Sequence, residues 1–183
     1  MSTARLPVIT QKQVTALLAP RPRDSHKGQF GTVAIIGGGN GMIGAALLAG
    51  RAALKLGAGC VHVGLLADNA PGVDTQQAEL MLHKAEALLH TLPLFASSSS
   101  LASLGTAPLV RPAPSGLVPQ AREVANVKNT TNPLVVAIGC GMGHDLRAQK
   151  ILHDALKLDT TLVLDADALN ILAMRPDLRS LLA

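Results

Sequence analysis

A chain of 183 residues is of single-domain size and long enough to bury a substantial core. With 48% apolar and 15% charged residues it is not a globally disordered polypeptide, and its apolar runs fall short of the ~20 residues a bilayer requires. The net charge of +4 is uneven: Arg5, Lys12, Arg21, Arg23, Lys27, Arg51 and Lys55 face one acid, Asp24, in the first 55 residues. That balance suits an anionic small molecule, and with only Phe30 and Phe95 as aromatics no stacking platform for nucleic acid accompanies it.

In chain order, Thr10 to Leu18 predicts a short capped helix stopped by Pro20 and Pro22. The apolar, β-branched run Thr32 to Ile36 predicts a buried strand, and Gly37-Gly-Gly-Asn-Gly-Met-Ile-Gly44 a glycine loop. An Ala- and Leu-rich helix follows to Leu56, with Gly57 and Gly59 as its stop. Strand, glycine loop and helix in that order are expected to present backbone N–H groups to a phosphate. Val61 to Leu66 predicts a second strand and completes a βαβ unit. Gln76 to Leu89 has helical spacing, with Ala78, Met81, Leu82, Ala85 and Leu89 on one side. Residues 91–132, rich in Ser and Pro, are expected to form a flexible insertion in an otherwise single domain over 1–183.

Leu134 to Ile138 predicts a strand leading into Gly139-Cys-Gly-Met-Gly143, with Asp145 as N-cap of a helix to Leu158. Thr161 to Leu164 predicts another, ending in Asp165-Ala-Asp-Ala-Leu-Asn170 and a final helix. In an open parallel sheet the carboxyl ends of strands lie along one edge, where ligands bind. Gly37–Gly44, Gly139–Gly143 and Asp165–Asn170 are therefore expected around one crevice. Asp165 and Asp167 share a face if the chain there is extended, and Asp167 reads equally well as a helix N-cap. Lys27, a cation just ahead of the first loop, is the expected anion contact. His26 and His144 flank the loops, and no His or Cys set has metal-ligand spacing. Cys60 and Cys140 read as buried thiols, and the N-terminus lacks an apolar h-region, so a cytoplasmic location is expected. Gly39-x-Gly41-x-x-Gly44, with Asp68 near the end of the second strand, also fits a dinucleotide fingerprint. A Rossmann oxidoreductase is thus one alternative, and a non-catalytic nucleotide-binding fragment another.

Arg21-Pro-Arg-Asp-Ser-His-Lys-Gly28, Ile36-Gly-Gly, Gly41-Met-Ile-Gly-Ala45-Ala, Ala52-Ala-Leu-Lys-Leu-Gly-Ala-Gly59, Glu79-Leu-Met81, Ile138-Gly-Cys-Gly-Met-Gly143 and Leu164-Asp-Ala-Asp-Ala-Leu-Asn170 occur in this order. Together they resemble the ADP/ATP-dependent (S)-NAD(P)H-hydrate dehydratase family. The resemblance implies a ribokinase-like three-layer α/β/α fold with a mostly parallel sheet, incomplete at the C-terminus. It implies dehydration of (S)-NADHX or (S)-NADPHX with ADP or ATP as co-substrate and Mg²⁺, in a homotetramer when full length. Ala45 and Gly141 would contact the hydrated nucleotide. Gly39, Gly41 and Gly143 would shape the loops, and Asp167 and Asn170 would brace the floor. Ile43 and Cys140 stand where the family usually has Thr and Pro. The family's catalytic aspartate and nucleotide-binding elements are expected beyond Ala183, leaving the substrate half of the site here.

Overall fold

The computed structural model describes residues 8–17, 20–97 and 133–182. Five strands form one parallel sheet: β1 (Thr32–Gly37), β2 (Cys60–Leu65), β3 (Met81–Lys84), β4 (Leu134–Ile138) and β5 (Thr161–Leu164), in the order β3-β2-β1-β4-β5. The helices are α1 (Gln11–Leu17), α2 (Ile43–Leu56), α3 (Ala85–Ser97), α4 (Leu146–Ala155), α5 (Ala166–Met174) and α6 (Pro176–Arg179). The central strand β1 is covered on both faces, which is why Thr32 to Ile36 carries a nearly unbroken apolar run rather than an alternation.

Its odd and even positions feed two cores. Ala34 and Ile36, with Val136 and Ile138, pack against Leu88 and Leu92 of α3, Ile151 and Leu152 of α4, and Ile171 of α5. Ile35, with Val61, Val63 and Leu65, packs against Ala46 of α2 and Leu80. The small residues of α2 let it lie close on the sheet. The helix ends at Gly57, whose left-handed backbone (φ +109) aims its N–H at the carbonyls of Ala53 and Leu54. Asp145 caps α4 as expected, its carboxylate accepting from Ala148 N at 2.7 Å.

One expected helix is replaced. Residues 76–80 form turns, Met81–Lys84 pair with His62–Leu65 as edge strand β3, and the helix begins only at Ala85. The true helix buries Ala85, Leu88, Leu89 and Leu92, so the spacing of Ala78, Met81 and Leu82 with Ala85 was coincidental. Edge pairing with β2 satisfies backbone groups that a helix start at Gln76 would have satisfied locally. Of the expected insertion, residues 91–97 lie in α3. Residues 98–132 lie outside those described.

Candidate active site

The carboxyl ends of β1, β4 and β5 run into the glycine loops and the Asp165 turn, and backbone hydrogen bonds lace them together. Gly38 N donates to Cys140 O at 3.0 Å, Gly39 N to Gly141 O at 2.6 Å, Gly139 N to Ile36 O at 3.1 Å and Asp165 N to Ile138 O at 3.0 Å. This tight lacing needs glycine. At Gly139 (φ +128) a Cβ would stand 1.9 Å from the carbonyl oxygen of Asp165. At Gly141 (φ +61) it would stand 2.8 Å from Cβ of Met42 and 3.2 Å from that of Ala45. The expected pair Ala45 and Gly141 therefore come together, Ala45 from the first turn of α2 and Gly141 from the second glycine loop.

The phosphate-cradle expectation is met only in part. The amides of Gly38, Gly39 and Met42 are consumed inside the protein, Met42 N donating to Gly39 O at 2.9 Å. Among the described residues no protein acceptor takes the amides of Gly41, which is exposed, and Gly141, which is buried. Space around Gly41 and Gly143 is open, with no atom within 4 Å of a Cβ at either position.

Asp167 braces the second loop: its Oδ2 accepts from Gly143 N at 2.9 Å and its Oδ1 lies 3.0 Å from His144 Nε2. Asp165, not Asp167, is the N-cap residue of α5, and the chain is helical from Ala166, so the two carboxylates do not share an extended face. Ala166 takes φ +30, a left-handed value rare for a residue with a Cβ, at this junction. Asn170 lies one turn after Asp167, exposed.

Lys27 is not brought to this site. It begins a 3-10 turn (Lys27–Phe30) ahead of β1, and its carbonyl abuts Gly59 at the start of β2. The six residues of β1 separate it from the glycine loop by about 20 Å. His26 shares that amino edge, whereas His144 is at the site. Cys140 and Cys60 are free and half-buried, and burial pushes the Cys140 thiol up in pKa, making it a weak nucleophile.

A network around Arg147 escaped the sequence reading. Nε and Nη2 of Arg147 donate to the two carboxylate oxygens of Glu86 at 2.6 and 3.1 Å. Its Nη1 donates to Leu66 O at 2.6 Å and Asp68 Oδ1 at 3.0 Å. Asp68 in turn joins the first glycine loop, its N donating to Asn40 Oδ1 at 3.2 Å and its Oδ2 accepting from Asn40 Nδ2 at 3.3 Å. The Arg147 hydrogen bonds hold the Glu86 carboxyl below the usual carboxylate range, so the pair is ionised at neutral pH. An open cavity of ≈ 420 Å³ lies between the loops and this network, lined by Gly39, Asn40, Met42, Asp68, Gly141 and Arg147 among others. The available signal was an arginine in the first turn of the helix that follows the second glycine loop.

A Rossmann oxidoreductase assigns no place to Asp165–Asn170, yet Asp167 from that element holds the second loop. A family model described as NAD(P)H-hydrate dehydratase matches residues 33–181. The bifunctional NAD(P)H-hydrate repair enzyme Nnr of Coxiella burnetii is 34% identical over 168 residues, covering 92% of this chain and 27% of that protein. The ADP-dependent (S)-NAD(P)H-hydrate dehydratase of Neisseria meningitidis serogroup B is 34% identical over 164 residues, 88% of this chain and 42% of that protein. In fold, the chain is similar to a ribokinase-like superfamily protein from Enterococcus faecalis. The TM-score is 0.59 at 22% identity, over 87% of this chain and 45% of that one. The chain spans less than half the length of each. With the fold, the two laced loops and the family match agreeing, the chain belongs to the NAD(P)H-hydrate dehydratase family.

Proposed function

We propose that the chain forms the hydrated-nucleotide side of an (S)-NAD(P)H-hydrate dehydratase that uses ADP or ATP. The observation that carries this reading is the approach of Ala45 and Gly141 at the carboxyl edge of a parallel sheet, in a chain of this family. In the reaction, a phosphoryl group passes from ADP or ATP to the C6 hydroxyl of the hydrated ring, converting a poor leaving group into a good one. The lone pair of the ring nitrogen then expels phosphate from C6 while a proton leaves C5, restoring the dihydronicotinamide. Such a transfer depends mainly on positioning and charge stabilisation. In this chain the backbone lacing fixes the crevice width, the exposed Gly41 amide offers a donor, and Asp167 holds the second loop through Gly143 N. The catalytic base is assigned to no residue of this chain.

Mg²⁺ belongs to this reading as the counter-ion of the nucleotide phosphates. Among the described residues no three His, Cys, Asp or Glu side chains gather to hold a metal, so no step is assigned to it. No helix among them is long and apolar enough to cross a membrane. The same reading carries a cytoplasmic location and a homotetrameric full-length enzyme.

The test is a coupled assay with (S)-NADHX, Mg²⁺ and ADP or ATP, following NADH absorbance. The chain is assayed alone and extended by the segments its relatives carry beyond the matched region. Turnover by the extended form alone is the expected result. Turnover by the chain alone would place the base within it, and no turnover by either form would overturn the proposal.

A further inference from the structure

Asn40 and Gly41 are the central residues of a turn closed by Met42 N, which donates to Gly39 O at 2.9 Å. Before this tip the first loop is tied to the second through Gly38 N and Gly39 N, and after it the chain enters α2. Among the described residues no backbone N–H or C=O of Asn40 or Gly41 takes a protein partner. The closing bond alone leaves the tip two ways to lie. Type I and type II turns share that bond and differ in the facing of the central peptide, here the one that carries the Gly41 N–H. Gly41, at φ +78, has the value a type II turn needs there, and glycine leaves it at little cost. What holds the tip is the Asn40 side chain, whose Oδ1 accepts from Asp68 N at 3.2 Å and whose Nδ2 donates to Asp68 Oδ2 at 3.3 Å. Asp68, 72% exposed, is steadied by Arg147 Nη1 at 3.0 Å, and Arg147 by both Glu86 oxygens and the Leu66 carbonyl. A chain of hydrogen bonds thus runs from α3 and α4 to the loop tip.

We infer that Asp68, anchored by Arg147, is a positioning residue: it latches Asn40, keeps the Gly39–Met42 turn in one facing, and so pre-organises the free Gly41 amide for a ligand. Asp68 acts through Asn40 and not on the ligand itself. A latched tip is ordered before binding, so loosening it weakens binding without removing any contact to the ligand. The inference rests on the function proposed above for the identity of that ligand, the hydrated nucleotide.

Exchanging the pair tests it. In Asp68→Asn the introduced amide sets a donor against a donor, at Asn40 Nδ2 or at Arg147 Nη1, and in Asn40→Asp two carboxylates face each other. Made together, Asn40→Asp and Asp68→Asn restore every bond with donor and acceptor swapped, and the net charge is unchanged. Both positions are exposed, so the variants keep the fold. The readouts are calorimetric titration with (S)-NADHX, without ADP or ATP, and the nitrogen-relaxation order parameter of Gly41 in the free chain. Each single variant should lower the order parameter and weaken (S)-NADHX at least about fivefold, the scale of one hydrogen bond. The exchanged pair should recover both. Single variants that bind like the unsubstituted chain, or whose Gly41 stays as ordered, overturn the inference. An exchanged pair that fails to recover order overturns it too, as does one that recovers order without affinity, because these side chains then meet the ligand directly. All these outcomes leave the proposed function standing, whereas an unsubstituted chain that binds no (S)-NADHX overturns both.

Discussion

Gly139 and Gly143 both take positive φ, +128 and +76, yet a side chain would meet different surroundings at each. At Gly139 a methyl group would collide with backbone, the Asp165 carbonyl at 1.9 Å, which cannot yield without moving the β5–α5 junction. At Gly143 there is open space, so alanine meets only the left-handed backbone penalty. Gly139→Ala should therefore lower unfolding free energy by about 3 kcal/mol or more, from strain and overpacking together. Gly143→Ala should cost about 1 kcal/mol. Urea denaturation of both variants measures this, and equal losses would mean that the loops are not locked together as described. Glycine positions were the most legible part of the sequence, since a strand followed by clustered glycines has few other readings. Lys27 was misplaced because nearness in sequence to the loop conceals the length of β1 between them. Arg147 was missed because its partners Asp68 and Glu86 lie 79 and 61 positions away, and local pattern carries no record of such contacts.

Strand β3 and helix α3 are joined to β2 by a ring stack. His62 Nδ1 lies 3.0 Å from His83 Nε2, and the His62 ring stacks on Phe95 at 4.5 Å between centroids. One ring nitrogen of the close pair must donate and the other accept, so the contact requires that the two imidazoles not both be protonated. Burial lowers the pKa of both, with the neighbouring His83 a second cause for His62. An unfolded imidazole titrates near about 6.5, above its value here, so the unfolded chain binds more protons as pH falls through that window. Stability should be fully present above about pH 6.5 and decline below it, toward the folded pKa. In the His62→Phe, His83→Phe variant the slope of unfolding free energy against pH over this window should flatten. An unchanged slope would assign the pH dependence elsewhere. The same region explains the misread helix. Four strands announced themselves through apolar runs, three beside glycines and β5 ahead of Asp165, whereas β3 is four residues long and passes into α3 with no turn residue between. Only its pairing with β2 identifies it.

Across the described residues the two helical layers are unequal. Helices α3, α4 and α5 line one face of the sheet, while the other face packs against α2, which lies over β1 and β2. Beyond α2, on the β5 side, Val163 is 51% exposed, and among the described residues β5 is an edge strand with no strand paired on its outer side. An apolar sheet face beside an open edge is a template for pairing with another chain. The chain should therefore self-associate with rising concentration. Val163→Lys should shift it toward monomer, because a charge on the exposed face opposes stacking while leaving the half-buried Leu162 and Leu164 side of the strand, packed against the core, unaltered. Sedimentation velocity over a concentration series distinguishes the outcomes. A concentration-independent monomer would show that one strand's exposed face does not drive association, and an associating Val163→Lys variant would move the contact to another surface.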